Sequence, residues 1–159
     1  MTAASLRSPS VVSPAFIWPV RVYWEDTDAG GVVFYANYLK YFERARTEWL
    51  RSFGIGQEQL RRDAGVMFMV TDTSVRYLRP AKLDDEIEVT VNVLRETAAT
   101  LTLTQQAWKR EAADGASGRT LLSEGTIRIA CVDAGTYRPC RIPSLISATL
   151  NRPLQTAPE

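Results

Sequence analysis

The acidic turn at residues 25–31 (EDTDAGG) carries the side chains of this chain that are best placed for chemistry. Its carboxylates can act as general bases on water or attack a carbonyl directly. Its two adjacent glycines allow positive φ and a close approach of the backbone to a ligand. A long amphipathic helix is predicted directly after the turn. A helix N-terminus presents N–H groups and partial positive charge, which stabilise an oxyanion forming on a bound carbonyl. The turn and the helix together therefore predict a site for acyl transfer.

The same turn permits three other interpretations. Residues 26–28 followed by Gly31 resemble the start of an EF-hand calcium loop. That match fails at Gly30, where a fifth-position ligand belongs, and at Asn37, where the bidentate Glu belongs. A phosphate-binding loop would require a GxxxxGK[ST] or GxGxxG pattern, and neither is present. A solvated acidic turn that favours the helix through its dipole stays open beside the acyl-transfer site.

The amino-acid composition excludes several classes of catalytic and binding site. The 159 residues contain no histidine, which excludes Ser-His-Asp and Cys-His catalysis. Only two cysteines and scattered carboxylates remain as ligands for zinc, so we expect neither a metal nor a cofactor. The formal net charge of +1 gives no electrostatic case for a nucleic acid as partner.

Cellular location is predicted from the same composition. Cys131 and Cys140 form no recognisable disulfide framework, as is usual in a reducing compartment. No apolar run approaches the length of about 20 residues that a membrane span requires. The N-terminus lacks the continuous apolar region of a signal peptide. We therefore expect a cytoplasmic protein.

One long helix and five strands position the turn. Apolar residues recur at helical spacing from Tyr38 to Phe53, and Gly54 follows as a natural stop. Residues 57–64 predict a short second helix. The apolar and polar alternation of a half-buried strand precedes the turn, with Val20, Val22 and Trp24 on one face. Four further strands are predicted at residues 66–78 (bent or bulged), 86–93, 101–109 and 121–132, with a loop at 111–118. Short links between consecutive strands favour an antiparallel sheet, hence an α+β domain. The composition predicts a disordered tail at residues 1–15 and a polar tail at residues 151–159.

These residues also resemble a known family. The pattern Arg21-Val22, four residues, Thr27-Asp28, two residues and Gly31-Val32-Val33 resembles the active-site signature of the 4-hydroxybenzoyl-CoA thioesterase family. The longer stretch WPVRVYWEDTDAGGVVFYANYLKYFERARTEWLR is similar to its YbgC-type branch, the acyl-CoA thioesterases encoded beside the Tol-Pal system. The resemblance continues through VRYLRPAKLDDEIEV and IRIACVDAGTYRPCRIP. It covers roughly residues 16–143, which implies a single domain of that extent with tails at residues 1–15 and 144–159.

The resemblance implies a hot-dog fold, in which an antiparallel sheet wraps around the long helix, and assembly into homodimers or homotetramers. It implies an acyl-CoA substrate, or an acyl-carrier protein, with Asp28 as the catalytic carboxylate. The backbone N–H of Tyr35 would polarise the thioester carbonyl, and Gly31, Val32 and Val33 would line the approach of the acyl group. The YbgC branch usually has His at the position of Tyr35, whereas the 4-hydroxybenzoyl branch has Tyr.

Several alternatives stay open beside this assignment. Glu43 is a second possible carboxylate, since some related thioesterases use a helix Glu, but a helix-surface charge is the favoured interpretation. Arg76, Arg79 and Lys82 would suit CoA phosphates or a solvated strand end equally well. A hydratase of the same fold would need a histidine that this chain lacks. A non-catalytic acyl-CoA-binding module would keep the fold and the pocket.

Overall fold

The computed structural model describes residues 16–111 and 118–151. The elements, in chain order, are β1 (Phe16–Arg21), α1 (Asn37–Ser52), α2 (Gln57–Ala64), β2 (Val66–Tyr77), β3 (Glu86–Glu96), β4 (Thr100–Arg110), β5 (Arg119–Asp133) and α3 (Ser144–Leu150). A single 3₁₀ turn, Trp24–Asp26, lies between β1 and α1. The tail predicted at residues 1–15 and most of the loop predicted at 111–118 lie outside the described residues.

The five strands form one antiparallel sheet in the order β1-β3-β4-β5-β2. Consecutive strands β3, β4 and β5 pair as hairpins, as their short links predict. β2 pairs with β5, so β1 and β2 are the two edges of the sheet. The pairing of β2 shifts register between Val70 and Asp72, which confirms the bulge predicted in this strand. The connection from β2 to β3 crosses from one edge of the sheet towards the other.

The helix α1 packs its apolar side against this sheet and forms the centre of the core. Its aromatic residues Tyr41 and Phe42 are fully buried, together with alternate residues of the strands such as Ile87, Leu103 and Ile127. Burying one such side chain contributes about 1.5–3 kcal/mol. The arrangement is the α+β hot-dog fold that the resemblance implies. In the described parts of the chain, no helix is both apolar enough and long enough to cross a membrane.

Two features at the ends of the domain differ from the sequence expectation. Trp24, expected on the buried face of the first strand, is 81% exposed because the strand ends at Arg21 and the chain turns into the 3₁₀ segment. At the other end, α3 lies beyond residue 143, the limit predicted for the domain, and its Ile146 is buried in the core. The core therefore extends into the segment predicted as a tail.

The two cysteines lie side by side, although no framework was predicted for them. Their Sγ atoms are 3.7 Å apart and form no disulfide. Cys131 is buried on β5, and Cys140 follows on the segment that pairs with the end of that strand. Burial, followed by the contact with Cys140, raises the pKa of Cys131 to about 12.

We expect the two thiols to react at very different rates with iodoacetamide at pH 8. The raised pKa keeps Cys131 as a thiol, and the thiolate is the reactive form. The half-buried Cys140 should be alkylated first, and Cys131 only after unfolding in urea. Peptide mass mapping over time measures both rates. Equal labelling of the two residues in the folded protein would contradict this arrangement.

Candidate active site

The acidic turn forms a small hairpin that projects the carboxylate of Asp28 into solvent. The N–H of Asp28 donates to the carbonyl of Val32 at 2.9 Å, and the N–H of Gly31 donates to the carbonyl of Asp28 at 3.0 Å. Asp28 Oδ1 accepts the N–H of Gly30 at 2.8 Å. Among the described residues, Oδ2 accepts no hydrogen bond, so one oxygen of the carboxylate is held and the other is open for chemistry.

Both glycines of the turn are required by this geometry. A Cβ at Gly30 would lie 3.0 Å from Asp28 Oδ1 and would push the carboxylate away from the N–H that it accepts. Gly31 has a φ of +76°, in the left-handed region that side chains with a Cβ rarely occupy. The two adjacent glycines therefore set the position of Asp28.

The turn is joined to the start of α1 through the backbone of Asp26. The carbonyl of Asp26 accepts the N–H of Phe34 at 2.9 Å and the side-chain Nδ2 of Asn37 at 2.9 Å. Both Asp26 and Asn37 are buried. The carboxylate Oδ2 of Asp26 accepts the N–H of Tyr23 at 2.7 Å. The buried Asp26 therefore fixes the hairpin to the start of α1, while the side chain of Asp28 remains exposed to solvent.

The N–H of Tyr35 is the open hydrogen-bond donor of the site. Tyr35 and Ala36 are the central residues of a turn closed by the N–H of Asn37, which donates to the carbonyl of Phe34 at 2.9 Å. Within residues 16–111 and 118–151, the N–H groups of Tyr35 and Ala36 donate no hydrogen bond. The helix has no side-chain cap and no acidic residue in its first turn. Its positive end is therefore not neutralised by its own first-turn side chains.

Aromatic side chains from α1 and β2 surround this donor. Tyr77 Oη donates to the carbonyl of Tyr35 at 3.0 Å, and the Tyr77 ring packs edge-on against Tyr35 and Tyr38, with centroids 6.0 and 5.5 Å away. Burial raises the pKa of Tyr38 and of Tyr77. A cavity of about 240 Å³ opens at this cluster, lined by Val33, Tyr35, Tyr38, Tyr77, Leu78, Arg79 and Pro80.

Tyr41 lies deeper and supports the same region. Its hydroxyl is fully buried and makes no hydrogen bond with any described residue. Burial, then the nearby negative charge of Asp26, raises the pKa of this hydroxyl, although the two groups lack the geometry of a hydrogen bond. Tyr41 is therefore neutral and belongs to the core rather than to the reacting groups.

The predicted site residues fall into two groups. Asp28, Gly31 and Val32 form the hairpin, whereas Val33 and Tyr35 line the cavity. Asp28 is not among the residues that line this cavity, nor those that line a larger groove of about 750 Å³ at residues 21–25, 83 and 84. Neither of these two cavities of the described residues therefore encloses the carboxylate together with the donor.

The other charged residues considered from the sequence lie in different surroundings. Glu43 is exposed on α1 and accepts a hydrogen bond from Thr47 Oγ1 at 2.6 Å. Arg76 is exposed and lies 3.5 Å from Glu124, whereas Arg79 lines the cavity. Lys82 pairs with Val32 in an isolated antiparallel bridge. Among the described side chains, no three His, Cys, Asp or Glu residues group as ligands for a metal ion.

Sequence reasoning did not identify the residues that support the site. Asn37 received no role, and Tyr77 and Ala81 were not considered. Ala81 donates its N–H to Tyr38 Oη at 3.2 Å and accepts the N–H of Val33 at 2.9 Å. These contacts join segments more than 40 residues apart. The local spacing of residues cannot predict such a contact. A polar Asn at the start of the apolar face of a helix does, however, indicate a buried hydrogen bond at that position.

Known proteins match this chain over most of its length. The thioesterase-like superfamily matches residues 22–150. The acyl-CoA thioesterase YbgC of Haemophilus influenzae is 39% identical over 136 residues, covering 86% of this chain and 94% of that protein. The acyl-CoA thioester hydrolase YbgC of Escherichia coli O6:H1 is 41% identical over 133 residues, covering 84% and 93%. A solved structure of a hypothetical protein from Aquifex aeolicus superposes with a TM-score of 0.75 at 28% identity, covering 86% of this chain and 99% of that chain.

We expect Asn37→Ala to destabilise the domain by about 1–3 kcal/mol, because a buried carbonyl loses the hydrogen bond from Nδ2. Urea unfolding followed by tryptophan fluorescence measures the change. Asn92→Ala is the matched control, since Asn92 is half-buried on β3 and its side chain makes no hydrogen bond to a described residue. Equal stability of the two variants would show that the bond from Asn37 to Asp26 contributes nothing.

Proposed function

The chain belongs to the thioesterase-like superfamily, and we propose that this acyl-CoA thioester hydrolase works through the Asp28 carboxylate and the N–H of Tyr35. The observation that carries this proposal is the open N–H of Tyr35 at the start of α1, on the same short segment as an exposed carboxylate. A thioester carbonyl that accepts the Tyr35 N–H gains stabilisation as its oxygen becomes negative in the transition state.

The Asp28 carboxylate supplies the attacking group by one of two routes. As a general base, Oδ2 removes a proton from water while the water oxygen attacks the carbonyl carbon. As a nucleophile, Oδ2 attacks the carbon itself, and water then hydrolyses the mixed anhydride. In both routes the C–S bond breaks, the thiolate takes up a proton, and one water is consumed for each free acid and thiol released. The hydrogen bond from Gly30 to Oδ1 orients the carboxylate in either case.

The acyl group would approach along residues 31–33. Gly31 leaves room beside the turn, Val32 is half-buried, and Val33 lines the cavity of about 240 Å³ beside Tyr35. The valines and the surrounding aromatic rings offer an apolar surface. Arg79 lies on the cavity wall and would suit an anionic part of the donor, either a CoA phosphate or an acyl-carrier protein.

We expect Asp28→Asn to lower kcat for acyl-CoA hydrolysis by at least about 10²-fold, the range lost with a general base. Asn keeps an oxygen that can accept the N–H of Gly30, so the fold of the turn should survive while the negative charge is lost. Thiol release from a panel of short, long and aromatic acyl-CoAs measures the change. Asp63→Asn, which alters an exposed carboxylate on α2, is the control.

Turnover by Asp28→Asn close to that of the unaltered protein would contradict the catalytic assignment. Saturable binding of acyl-CoA without thiol release by the unaltered protein would favour a non-catalytic binding module. Release only from acyl-carrier protein would identify that donor instead of CoA.

The assembly proposed for this enzyme is a dimer formed along β2. This strand is an edge of the sheet, has twelve residues, and is exposed over residues 69–74. A long exposed edge strand is a ready surface for pairing with a second chain. Tyr77 ends this strand beside Tyr35, so a second copy on β2 would come close to the cavity, whose lining does not include Asp28.

We expect the protein in solution to have at least twice the 17.8 kDa mass of one chain, and Val70→Arg to shift it towards the monomer. Val70 is 51% exposed on β2, and a long charged side chain there would be costly to bury in a contact with a second chain. Val93→Arg, at a 43% exposed valine on β3, is the control. Light scattering after gel filtration gives both masses and separates a dimer from a tetramer. A monomeric mass for the unaltered protein would contradict the proposed pairing.

A cytoplasmic location is part of the same proposal. It is supported by the two cysteines of the sequence, which form no recognisable disulfide framework, as is usual in a reducing compartment.

A further inference from the structure

We propose that Tyr77 is a positioning residue for hydrolysis: its hydroxyl fixes and polarises the peptide between Tyr35 and Ala36, which makes the Ala36 N–H a second donor to the thioester oxygen. The inference rests on the function proposed above, because it assigns the groups that surround the oxygen held by Tyr35.

The turn at the start of α1 contains two peptide planes, and each is fixed by a different partner. The plane between Phe34 and Tyr35 carries the Tyr35 N–H, and its carbonyl accepts the N–H of Asn37 at 2.9 Å. The next plane carries the Ala36 N–H, and its carbonyl, that of Tyr35, accepts Tyr77 Oη at 3.0 Å. Backbone thus holds the first donor, whereas a side chain from β2 holds the second.

The helix itself does not hold this second plane. The N–H of Leu39, which would reach the carbonyl of Tyr35 in a regular α-helix, donates instead to the carbonyl of Ala36 at 3.1 Å. Among the described residues, Tyr77 is the one partner of the Tyr35 carbonyl. Removal of the Tyr77 hydroxyl would leave this plane free to rotate about its two flanking bonds.

The two open N–H groups suit one shared acceptor. Ala36 has helical dihedral angles, φ −68° and ψ −21°, and the turn continues directly into α1. N–H groups at such a start point away from the helix, as those of a first helical turn do. Neither N–H has a partner among the described residues. A thioester oxygen bound at this end of the helix would accept both as its negative charge develops.

Tyr77 also acts on the strength of the second donor. A hydrogen bond to a peptide carbonyl polarises the whole peptide unit, so the N–H on its other side becomes a better donor. Burial and the neighbouring Tyr35 raise the pKa of Tyr77, so its hydroxyl stays a donor even at alkaline pH values where a free tyrosine begins to ionise. The rings of Tyr35 and Tyr38 pack edge-on against Tyr77 and hold its side chain in place.

The test compares Tyr77→Phe with the unaltered protein. The substitution keeps the ring and its packing and removes only the hydroxyl. We expect kcat to fall roughly tenfold, less than the 10²–10³-fold loss that follows outright removal of an oxyanion donor, and KM to rise no more than severalfold. Tyr137→Phe is the matched control, because Tyr137 is 62% exposed and its hydroxyl makes no hydrogen bond to a described residue. Melting temperature and mass in solution are measured for each variant.

A pair of unreactive ligands separates positioning from a structural effect. One is an acyl-CoA analogue in which CH₂ replaces the thioester sulfur, so that the carbonyl is kept. The other is an alkyl-CoA thioether of the same chain length, which has no carbonyl. The first ligand is a ketone, and Tyr77→Phe should weaken its binding severalfold. The affinity for the thioether should stay unchanged. The ratio of the two affinities within one preparation does not depend on the folded fraction.

The possible outcomes are distinct. Unchanged kcat in Tyr77→Phe, or equal weakening of the two ligands, would overturn the role of Tyr77. Loss of the ketone preference with a fall in kcat would support it. Absence of thiol release by the unaltered protein, or full turnover by Asp28→Asn, would instead overturn the proposed function itself.

Discussion

The carbonyl oxygen of Asp26 accepts two hydrogen bonds from the start of α1, one from the Phe34 N–H and one from the Asn37 side chain. Because both Asp26 and Asn37 are buried, these polar groups must find partners inside the protein, and each satisfies the other. The bonds fix the acidic hairpin relative to the helix. The exposed carboxylate of Asp28 and the open N–H of Tyr35 are thereby presented by one rigid unit, as a preorganised catalytic site requires.

A second anchor comes from the connection between β2 and β3. Ala81 is fully buried, donates its N–H to Tyr38 Oη, and accepts the N–H of Val33. Tyr77, four residues earlier, donates to the carbonyl of Tyr35. The helix start is therefore held from one side by the acidic turn and from the other by the end of the edge strand. If a second copy pairs along β2, assembly and the geometry of the donors depend on the same strand.

Much of the local structure could be predicted from the sequence, because it depends on neighbouring residues. The spacing from Tyr38 to Phe53 with Gly54 behind it defines α1, and residues 57–64 before Gly65 define α2. The antiparallel sheet follows from short links between alternating strands. The position of Asp28 in a tight turn follows from the two glycines beside it.

Contacts between distant segments could not be predicted in this way. The hydrogen bond from Tyr77 to Tyr35 and the proximity of Cys131 to Cys140 depend on how the strands are ordered in the sheet. The burial of Ile146 depends on where the chain leaves β5. Trp24 continues an alternating pattern, yet the chain turns before reaching it, since the polar residues that follow bond to their own backbone.

The most direct test of the catalytic geometry is a crystal structure of the protein with an acyl-CoA analogue in which CH₂ replaces the thioester sulfur. The carbonyl oxygen of the analogue should lie about 2.7–3.1 Å from the backbone nitrogen of Tyr35, the range for a hydrogen bond to an oxyanion. Asp28 Oδ2 should face the carbonyl carbon directly or through one water. A carbonyl oxygen turned away from the start of α1, with Asp28 remote from the carbon, would contradict the account.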